Sequence, residues 1–225
     1  MVKKSTVMAA KTKKNSMWNA NSIQKKTDEL LHLMESKDVN VAPISETHLQ
    51  INQELNIANY RVTRTDHSTG AKEGGTAMIV STKVKHNEIA LPPVGSIEAT
   101  GIQIQTSSLP LRLAAAYSPP SQLGPSDIDA LLDSSISTLF GGDLNAKHQC
   151  WNSQTANSKG YALLAHSRKK DFVVAGPTHP MHYPGTARQK PDILDIVVMK
   201  NLSQSMELET ITTLTSDHNL VLRQN

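Results

Sequence analysis

Five short polar segments interrupt the apolar stretches of this 225-residue chain, and they contain its most reactive side chains. Each segment places a carboxylate, an amide or an imidazole where a predicted strand meets a loop. Such groups bind metal ions and move protons. The candidate catalytic residues therefore come from these segments. They are WNAN (18–21), SETHL (45–49), GGDLNAKH (141–148), DILDIVV (192–198) and TSDHN (215–219).

The GGDLN segment combines two polar side chains with two glycines. Asp143 and Asn145 are two residues apart, so in an extended segment their side chains point to the same side. Gly141 and Gly142 let another backbone or a phosphate come close. The same residues are ordinary turn formers, so a simple turn is the alternative interpretation.

Two acids stand in places that need an explanation. Glu46 lies beyond the apolar part of its strand, where it is a hard oxygen ligand of the kind that Mg²⁺ accepts. A solvated glutamate is the alternative. Asp195 lies between Leu194 and Ile196, and burying an acid there is costly unless the acid is paired.

Asp217 and His218 place an acid beside a base at the end of a predicted strand. Imidazole is the usual general base near neutral pH, and it works best when a carboxylate fixes its tautomer. Neighbouring residues on a strand point to opposite faces, so we expect that Asp217 does not orient His218. The sequence favours Asp195 as the acid that does.

Predicted helices and strands alternate along the chain and must position these residues. Helices are predicted at 27–36 with Thr27 as N-cap, at 126–139 with Ser126 as N-cap, and at 158–170. Strands interleaved with three helices indicate one α/β or α+β domain with a substantial sheet core. The predicted strands cover 39–47, 74–80, 96–106, 109–120, 138–146, 192–200, 207–215 and 219–225.

Length and composition exclude several classes of protein. The chain is long enough for one domain, or at most two small ones, with a real core. Its single cysteine, Cys150, excludes a disulfide scaffold and a Cys-rich zinc site. No apolar run reaches the roughly 18–20 residues of a membrane span, so we expect a soluble chain. The lysine-rich start lacks the apolar region of a secretory signal.

The net charge of +3 hides an asymmetry along the chain. Residues 1–26 hold seven lysines and no acid, whereas residues 27–225 hold 16 bases and 20 acids. A lysine-rich arm can contact the phosphates of a nucleic acid, and a solvated terminus is the alternative. The acidic remainder argues against DNA binding through bulk charge, so metal ions would supply part of the positive field.

The order of the candidate residues resembles the pattern of the endonuclease/exonuclease/phosphatase superfamily. The resemblance covers residues 17–225 as one domain and leaves residues 1–16 as a basic, disordered arm. The local sequences WNANS, ISETHL, AAYSPP, FGGDLNAKHQCWNS and LTSDHNLV are similar to the endonuclease domains of jockey-type non-LTR retrotransposons, which precede a reverse transcriptase. The ordered set is Asn19, Glu46, Tyr117, Asp143 with Asn145, Asp195, and Asp217 with His218.

This resemblance implies a fold and a metal site. The fold would be a four-layer αββα sandwich, in which two packed, mostly antiparallel β-sheets are flanked by helices. The site would lie at one end of the sheets. Glu46 would be the main ligand of Mg²⁺, or of Mn²⁺ in its place, with Asn19 beside it and Asp217 close to the metal.

The resemblance also implies roles in catalysis for the other residues. Asp143 would position or deprotonate the attacking water, and Asn145 and Tyr117 would contact the scissile phosphate. His218, oriented by Asp195, would stabilise the pentacovalent phosphate. The reaction would be hydrolysis of one strand of double-stranded DNA in the nucleus, leaving a 3′-hydroxyl that primes reverse transcription.

Five further residues lie near these motifs. Lys147 and His148 follow GDLNA directly, and they are candidates for phosphate contacts or solvated loop residues. We expect Trp151 to pack under that loop. We interpret His179 and His182 as loop residues without a metal partner.

Three positions depart from the family pattern. The entry to the asparagine motif, AAKTKKNSM (9–17), is nearly all polar, so we expect it to bury little and to hold Asn19 poorly. Ser22 stands where glycine is common, and Pro43 stands where the strand is normally aliphatic. Two alternatives stay open beside a retrotransposon endonuclease. One is an abasic-site repair nuclease or small phosphoesterase of the same superfamily, and the other is a degenerate copy that at most binds DNA.

Overall fold

The computed structural model contains two six-stranded β-sheets that face each other, with helices on their outer sides. It describes residues 14–69, 72–106, 109–121, 123–132, 135–184, 190–202, 207–212 and 214–224. The helices in this part of the chain are α1 (Thr27–Ser36), α2 (Pro125–Leu132) and α3 (Ser158–Lys170), and a 3₁₀ turn spans Gln149–Trp151. The strands are β1 (Lys14–Asn19), β2 (Val39–Ser45), β3 (Tyr60–Thr65), β4 (Thr76–Ser81), β5 (His86–Ile89), β6 (Glu98–Gln105), β7 (Pro110–Tyr117), β8 (Ser137–Asp143), β9 (Val173–Ala175), β10 (Asp195–Lys200), β11 (Glu207–Ile211) and β12 (Leu220–Gln224).

The two sheets have the same general construction. The first sheet has the strand order β11-β12-β1-β2-β4-β3, and the second has the order β5-β6-β7-β8-β10-β9. One neighbouring pair in each sheet is parallel, β1 with β2 and β7 with β8, and the remaining pairs are antiparallel. The structure therefore confirms the predicted sandwich of two mostly antiparallel sheets flanked by helices.

Side chains that alternate along the strands build two apolar layers. Met17 of β1 joins the cluster that includes Met78 of the first sheet and Phe140 of the second. Its neighbour Trp18 joins the cluster beneath α1, together with Leu30. Helices α2 and α3 cover the second sheet with residues of the first cluster. Alternation on each strand thus lets one sheet bury both of its faces.

The polar entry segment forms a strand, which corrects two expectations. Lys14, Asn15 and Ser16 belong to β1 and not to a disordered arm, while residues 1–13 lie outside the described residues. Strand β1 lies inside the first sheet between β12 and β2, and Asn19 at its end is only 1% exposed. Asn19 is held firmly because buried Met17 and Trp18 anchor the strand on both faces.

Several predicted boundaries need correction. Helix α1 spans 27–36 as predicted, but Lys26 and not Thr27 stands at its N-cap, and no side chain caps it. Helix α2 begins at Pro125, so Ser126 lies inside it, and it ends at Leu132. Residues 137–139 belong to β8, because Leu139 packs in the core as part of a strand. Strands β3, β5 and β9 were not predicted, and α3 agrees with its prediction to the residue.

Pro43 occupies a central strand in spite of its missing N–H. It is buried in β2, between β1 and β4, opposite Met78. It borders a cavity of about 30 Å³ between the sheets, which Asn15 and Ser16 also line.

No helix among the described residues is both long and apolar enough to cross a membrane.

Candidate active site at one end of the sandwich

The predicted site residues meet where strands of both sheets end. Asn19 ends β1, Tyr117 ends β7 and Asp143 ends β8, while Glu46 follows the last residue of β2. Strands β10 and β12 begin at this end: Asp195 is the first residue of β10, and Asp217 and His218 precede β12. The five polar segments therefore lie at the same end of the sandwich.

Asn19 joins carboxylates from the two sheets. Its Nδ2 donates to Oε1 of Glu46 at 3.0 Å and to Oδ2 of Asp143 at 3.0 Å. Its Oδ1 accepts a hydrogen bond from the backbone N–H of Asn21 at 2.9 Å. A single amide thus holds two acids of the candidate site at a fixed separation.

Glu46 lies on a backbone that turns sharply at the end of β2. Its φ is +51°, and its carbonyl accepts from the N–H of Ser22, whose own φ is +74°. A left-handed φ favours glycine, which gives a physical reason for the glycine that the family often has at the position of Ser22. At this strained turn the chain leaves the direction of β2, and the Glu46 carboxylate meets Asn19.

Three side chains surround the Glu46 carboxylate. Nε2 of His48 lies 3.2 Å from Oε2 of Glu46, Asn19 donates to Oε1, and Tyr117 hydrogen-bonds to the carboxylate from the second sheet. Burial opposes ionisation of Glu46, but the hydrogen bonds from His48 and Asn19 outweigh it and lower the pKa of the carboxyl. Burial and the charges of Glu46 and Asp143 raise the pKa of Tyr117, so Tyr117 stays protonated.

Asp143 is enclosed at the junction of the two sheets. It is 2% exposed, and its Oδ1 accepts from the backbone N–H of Asn145 at 2.8 Å. Burial, followed by the charge of Asp195, raises its pKa, and His218 partly opposes that shift. The GGDLN segment therefore forms a turn around a carboxylate that needs a nearby positive charge.

Gly142 lets β8 approach β7 at this turn. Its φ is +145°, and a Cβ atom there would lie 2.1 Å from the carbonyl oxygen of Ala116. The sequence allowed either another backbone or a phosphate to lie close to this glycine pair. At Gly142 the close neighbour is the backbone of Ala116. The close approach aligns Tyr117 and Asp143 at the same end of the second sheet.

His218 is oriented by Asp195, the acid that the sequence favoured. Nδ1 of His218 lies 2.7 Å from Oδ2 of Asp195, and both residues are buried. Burial alone would lower the pKa of His218, but the charge and hydrogen bond of Asp195 raise it to about 9. Nε2 of His218 points to the other side and lies 3.9 Å from Oδ2 of Asp143. The imidazole therefore presents one nitrogen to the site.

Asp217 lies at the more exposed side of the site. Its Oδ1 accepts from Nδ2 of Asn21 at 3.1 Å and from the Ser216 hydroxyl at 3.3 Å. Burial would raise its pKa, but the hydrogen bond from Asn21 and the charges of His218 and His182 lower it. Asp195, and not Asp217, therefore orients the ring of His218, as the sequence predicted.

His182 is part of this site, which the sequence did not indicate. Its ring centroid lies 4.5 Å from that of His218, and its Nε2 lies 3.8 Å from Oδ2 of Asp217. Backbone bridges to Asp192 and His218 place it there. Such pairing joins distant segments, so no local signal could have identified His182. His179, the other loop histidine, is exposed.

The residues after GDLNA stabilise the loop. Lys147 forms an ion pair of 3.1 Å with Asp192, and His148 is buried and accepts from the N–H of Cys150. Trp151 is 1% exposed, as expected, and its Nε1 donates to the carbonyl of Ala146 at 2.9 Å. Both residues therefore have partners within the protein, and a contact of either with phosphate stays a prediction.

Lys159 of α3 supports the second sheet's part of the site. It is 5% exposed, and its Nζ donates to the Ser118 hydroxyl at 2.9 Å and to the carbonyl of Pro119 at 2.8 Å. Asn145 donates from Nδ2 to the carbonyl of Ser118, which Lys159 also contacts at 3.3 Å. Burial lowers the pKa of Lys159 to about 8, although Asp143 opposes the shift. Lys159 therefore fixes the segment between Tyr117 and Asn145.

Comparisons with known proteins identify related sequences. The profile of the family described as "Endonuclease-reverse transcriptase" matches residues 111–222. An RNA-directed DNA polymerase from the mobile element jockey of Drosophila melanogaster is 25% identical over 214 residues, which are 94% of this chain and 23% of the relative. The probable polymerase of the Drosophila melanogaster X-element is 25% identical over 90% of this chain and 23% of its own length. The chain thus spans about a quarter of these relatives.

Solved structures share the fold. The endonuclease domain of TRAS1, a telomere-specific non-LTR retrotransposon, superposes with a TM-score of 0.73 at 15% identity, over 94% of this chain and 97% of that domain. The AP endonuclease LMAP from Leishmania major superposes with a TM-score of 0.71 at 15% identity, over 94% of this chain and 86% of LMAP. At this identity the two structures establish a common sandwich.

Proposed function

We propose that this chain, which belongs to the endonuclease/exonuclease/phosphatase superfamily and has jockey-type retrotransposon polymerases among its relatives, is a metal-dependent endonuclease that nicks one strand of DNA. The observation that carries the proposal is the bridge that Asn19 makes between Glu46 and Asp143, beside the pair of His218 and Asp195. These contacts unite acids, an amide and an imidazole, which together suit hydrolysis of a phosphodiester by water.

The donor set fits Mg²⁺, with Mn²⁺ as a substitute. Glu46 and Asp217 offer hard carboxylate oxygens, and four acids lie close together at this end of the sandwich. Burial, and after it the charge of Asp195, raises the pKa of Asp143, and a divalent cation would favour its ionised form. Asn19 now presents Nδ2 to Glu46, and a half-turn of its amide would present Oδ1 in the same place. The bound ion would neutralise the phosphate and lower the pKa of water.

The protein groups would position the reacting atoms. Asp143 would accept a proton from the attacking water, because its Oδ2 faces the site while its Oδ1 is bound to the backbone N–H of Asn145. His218, held protonated by Asp195, would donate from Nε2 to a phosphate oxygen. Tyr117 and Asn145 would contact the phosphate from the second sheet. The products would be a 5′-phosphate and a 3′-hydroxyl.

The relatives support a proposed biological role. In a retrotransposon polyprotein that also contains a reverse transcriptase, a 3′-hydroxyl at the nick would prime DNA synthesis on the element's RNA. The substrate would then be double-stranded chromosomal DNA, and the place of action would be the nucleus. The lysines of residues 1–26 would assist by contacting DNA phosphates.

Nicking of supercoiled plasmid tests this proposal. The purified chain should convert plasmid to the open circular form with Mg²⁺ and not with EDTA. Asp143→Ala and His218→Ala should each lower the rate by roughly 10²–10³-fold or more. Matched controls are Asp28→Ala and His32→Ala, because both residues lie exposed on α1. A polymerase should extend the nick without phosphatase treatment.

Assays of the same protein on further substrates separate the alternative functions. Cleavage of an oligonucleotide only at an abasic site would favour a repair nuclease, the activity named for LMAP. Hydrolysis of a small phosphate ester without cleavage of DNA would favour a phosphoesterase. DNA binding without cleavage of either substrate would favour a degenerate copy. Unchanged nicking in both site variants would contradict the assigned residues.

A further inference from the structure

His182 forms a cluster of ligand atoms with Asp217 and His218, and the proposed nuclease reaction gives His182 no role. One atom from each side chain lies within 4.8 Å of the other two. Across the described ranges of the chain, this is the only such group of three His, Cys, Asp or Glu residues. It differs from the Glu46 site because two of its three donors are imidazole nitrogens.

The backbone holds the three residues together. The N–H of His182 donates to the carbonyl of Asp192, and the N–H of Asp192 donates to the carbonyl of His182, both at 3.1 Å. On the other side, Tyr183 donates to the carbonyl of Asp217 at 2.7 Å, and Asn219 donates to the carbonyl of Met181 at 2.7 Å. The segment that carries His182 is therefore fixed between β10 and the Asp217–His218 turn, so the cluster is preorganised.

The ring of His218 has the orientation of a metal ligand. Asp195 binds its Nδ1, which leaves Nε2 as the nitrogen that can bind an ion. His218 is 4% exposed, and the nearest acid on that side, Asp143, is 3.9 Å away from Nε2. A carboxylate behind a ligating histidine fixes the tautomer and increases its basicity, and most histidine ligands have such a partner.

We propose that His182, Asp217 and His218 form a site for a borderline transition-metal ion such as Zn²⁺, and that occupation of this site blocks the nuclease centre. Two imidazoles and one carboxylate suit Zn²⁺ or Co²⁺, whereas Mg²⁺ requires oxygen ligands. Three protein ligands leave a fourth position for water. The ion would bind Nε2 of His218 and one oxygen of Asp217. The proposed nicking reaction uses both atoms, so the bound ion would block it.

Metal binding tests this site without any nuclease assay. Tag-free, metal-free protein is titrated with Zn²⁺ by calorimetry, and with Co²⁺ while its visible absorption is recorded. The parent chain should bind one ion tightly, and His182→Asn should weaken that affinity by about 100-fold or more. The matched control is His179→Asn, because His179 lies three residues earlier and is exposed; it should bind like the parent.

Thermal unfolding guards against a variant that fails to fold. Without metal, the unfolding temperatures of the parent, His182→Asn and Asp217→Asn should be similar. Zn²⁺ should raise the temperature of the parent and His179→Asn but not of the two cluster variants, because an ion stabilises only the state that binds it. Equal Zn²⁺ affinity in the parent and His182→Asn, or no binding by the parent, would overturn the proposal.

Inhibition of nicking tests the consequence, and this arm rests on the proposed function. With Mg²⁺ present, Zn²⁺ should inhibit the parent at a concentration at least about tenfold lower than it inhibits His182→Asn. Equal inhibition of the two would overturn the link between the sites. If the parent shows no nicking while its Zn²⁺ binding requires His182, the proposed function fails and the metal site stands.

Discussion

The two sheets contribute to the candidate site in different ways. The second sheet provides Asp143 and Asp195 from within paired strands, where β8 and β10 place them directly opposite each other. The first sheet provides Glu46 and His218 from just beyond its strands, and Glu46 has a left-handed backbone. The second sheet therefore provides side chains that strand pairing holds in place. The first sheet provides side chains on turns, which need other contacts to hold them.

Hydrogen bonds between the sheets hold those turns. Asn19 reaches Asp143 at 3.0 Å, and His218 reaches Asp195 at 2.7 Å. In both contacts a side chain of the first sheet meets an acid of the second. The site therefore depends on these cross-sheet contacts. The following experiments test this dependence, from the largest expected effect to the smallest.

Asp195→Asn should cause the largest loss. The amide cannot hold His218 in the same protonation state, so nicking should fall by about 10³–10⁴-fold. Single-turnover rates on a labelled duplex would measure this loss. His218→Ala should cost a similar amount, and the double variant should be little worse than either single variant. Additive losses in the double variant would show that the two residues act separately.

Asn19→Ala should cause the next largest loss. It removes the donor that separates Glu46 from Asp143, so nicking should fall by roughly 10²-fold. A rate profile against Mg²⁺ concentration should shift to higher values, because the acids are no longer held in place. Asn21→Ala is the matched control, since the side chain of Asn21 donates to half-buried Asp217 and not to the two cross-sheet acids; this variant should lose less than tenfold. Equal losses in both variants would contradict the importance of the cross-sheet contact.

Lys159→Met should have a smaller effect, because it acts within the second sheet. Loss of its bonds to Ser118 and Pro119 should loosen Asn145 and lower kcat by about tenfold, as expected for a displaced positioning residue. Binding of uncleaved DNA should change little. Lys170→Met is the control, since Lys170 is exposed at the end of α3. A loss in DNA affinity with unchanged kcat would contradict a positioning role.

The smallest effect should appear in stability without metal. The pKa of His218 is raised to about 9 in the folded state, above the ordinary histidine value of about 6.5. Its contribution is therefore fully present below about pH 6.5 and is lost as the pH rises to about 9. Urea unfolding in EDTA should show a steeper decline over this interval for the parent than for His218→Asn. Parallel curves would contradict the raised pKa.

The sequence predicted the buried parts of this molecule better than its edges. Helix α3 and the apolar strands have clear periodicity, and the residues that end them are found at one end of the sandwich. Strands β3 and β5 are edge strands whose polar and half-buried side chains give no alternating pattern. Strand β1 was underestimated because two large side chains, Met17 and Trp18, suffice to anchor a polar segment.

The candidate site was predictable where chemistry is local. The pairing of His218 with Asp195 could be inferred because a buried acid needs a partner. The place of His182 could not, because it depends on backbone bridges between segments that are distant in sequence. Lys159 escaped notice for a similar reason, since its helix position gave no sign that its amine reaches Ser118 and Pro119.

The pairing of β1 with β12 also has a consequence for synthesis on the ribosome. These strands lie side by side, although about 200 residues separate them, and Nε1 of Trp18 donates to the carbonyl of His218 at 2.9 Å. A nascent chain that has emerged only as far as β10 has neither Asp217 nor His218, and its β1 is an open edge. Completion of the first sheet, and with it of the candidate site, must therefore wait until the last strand leaves the exit tunnel.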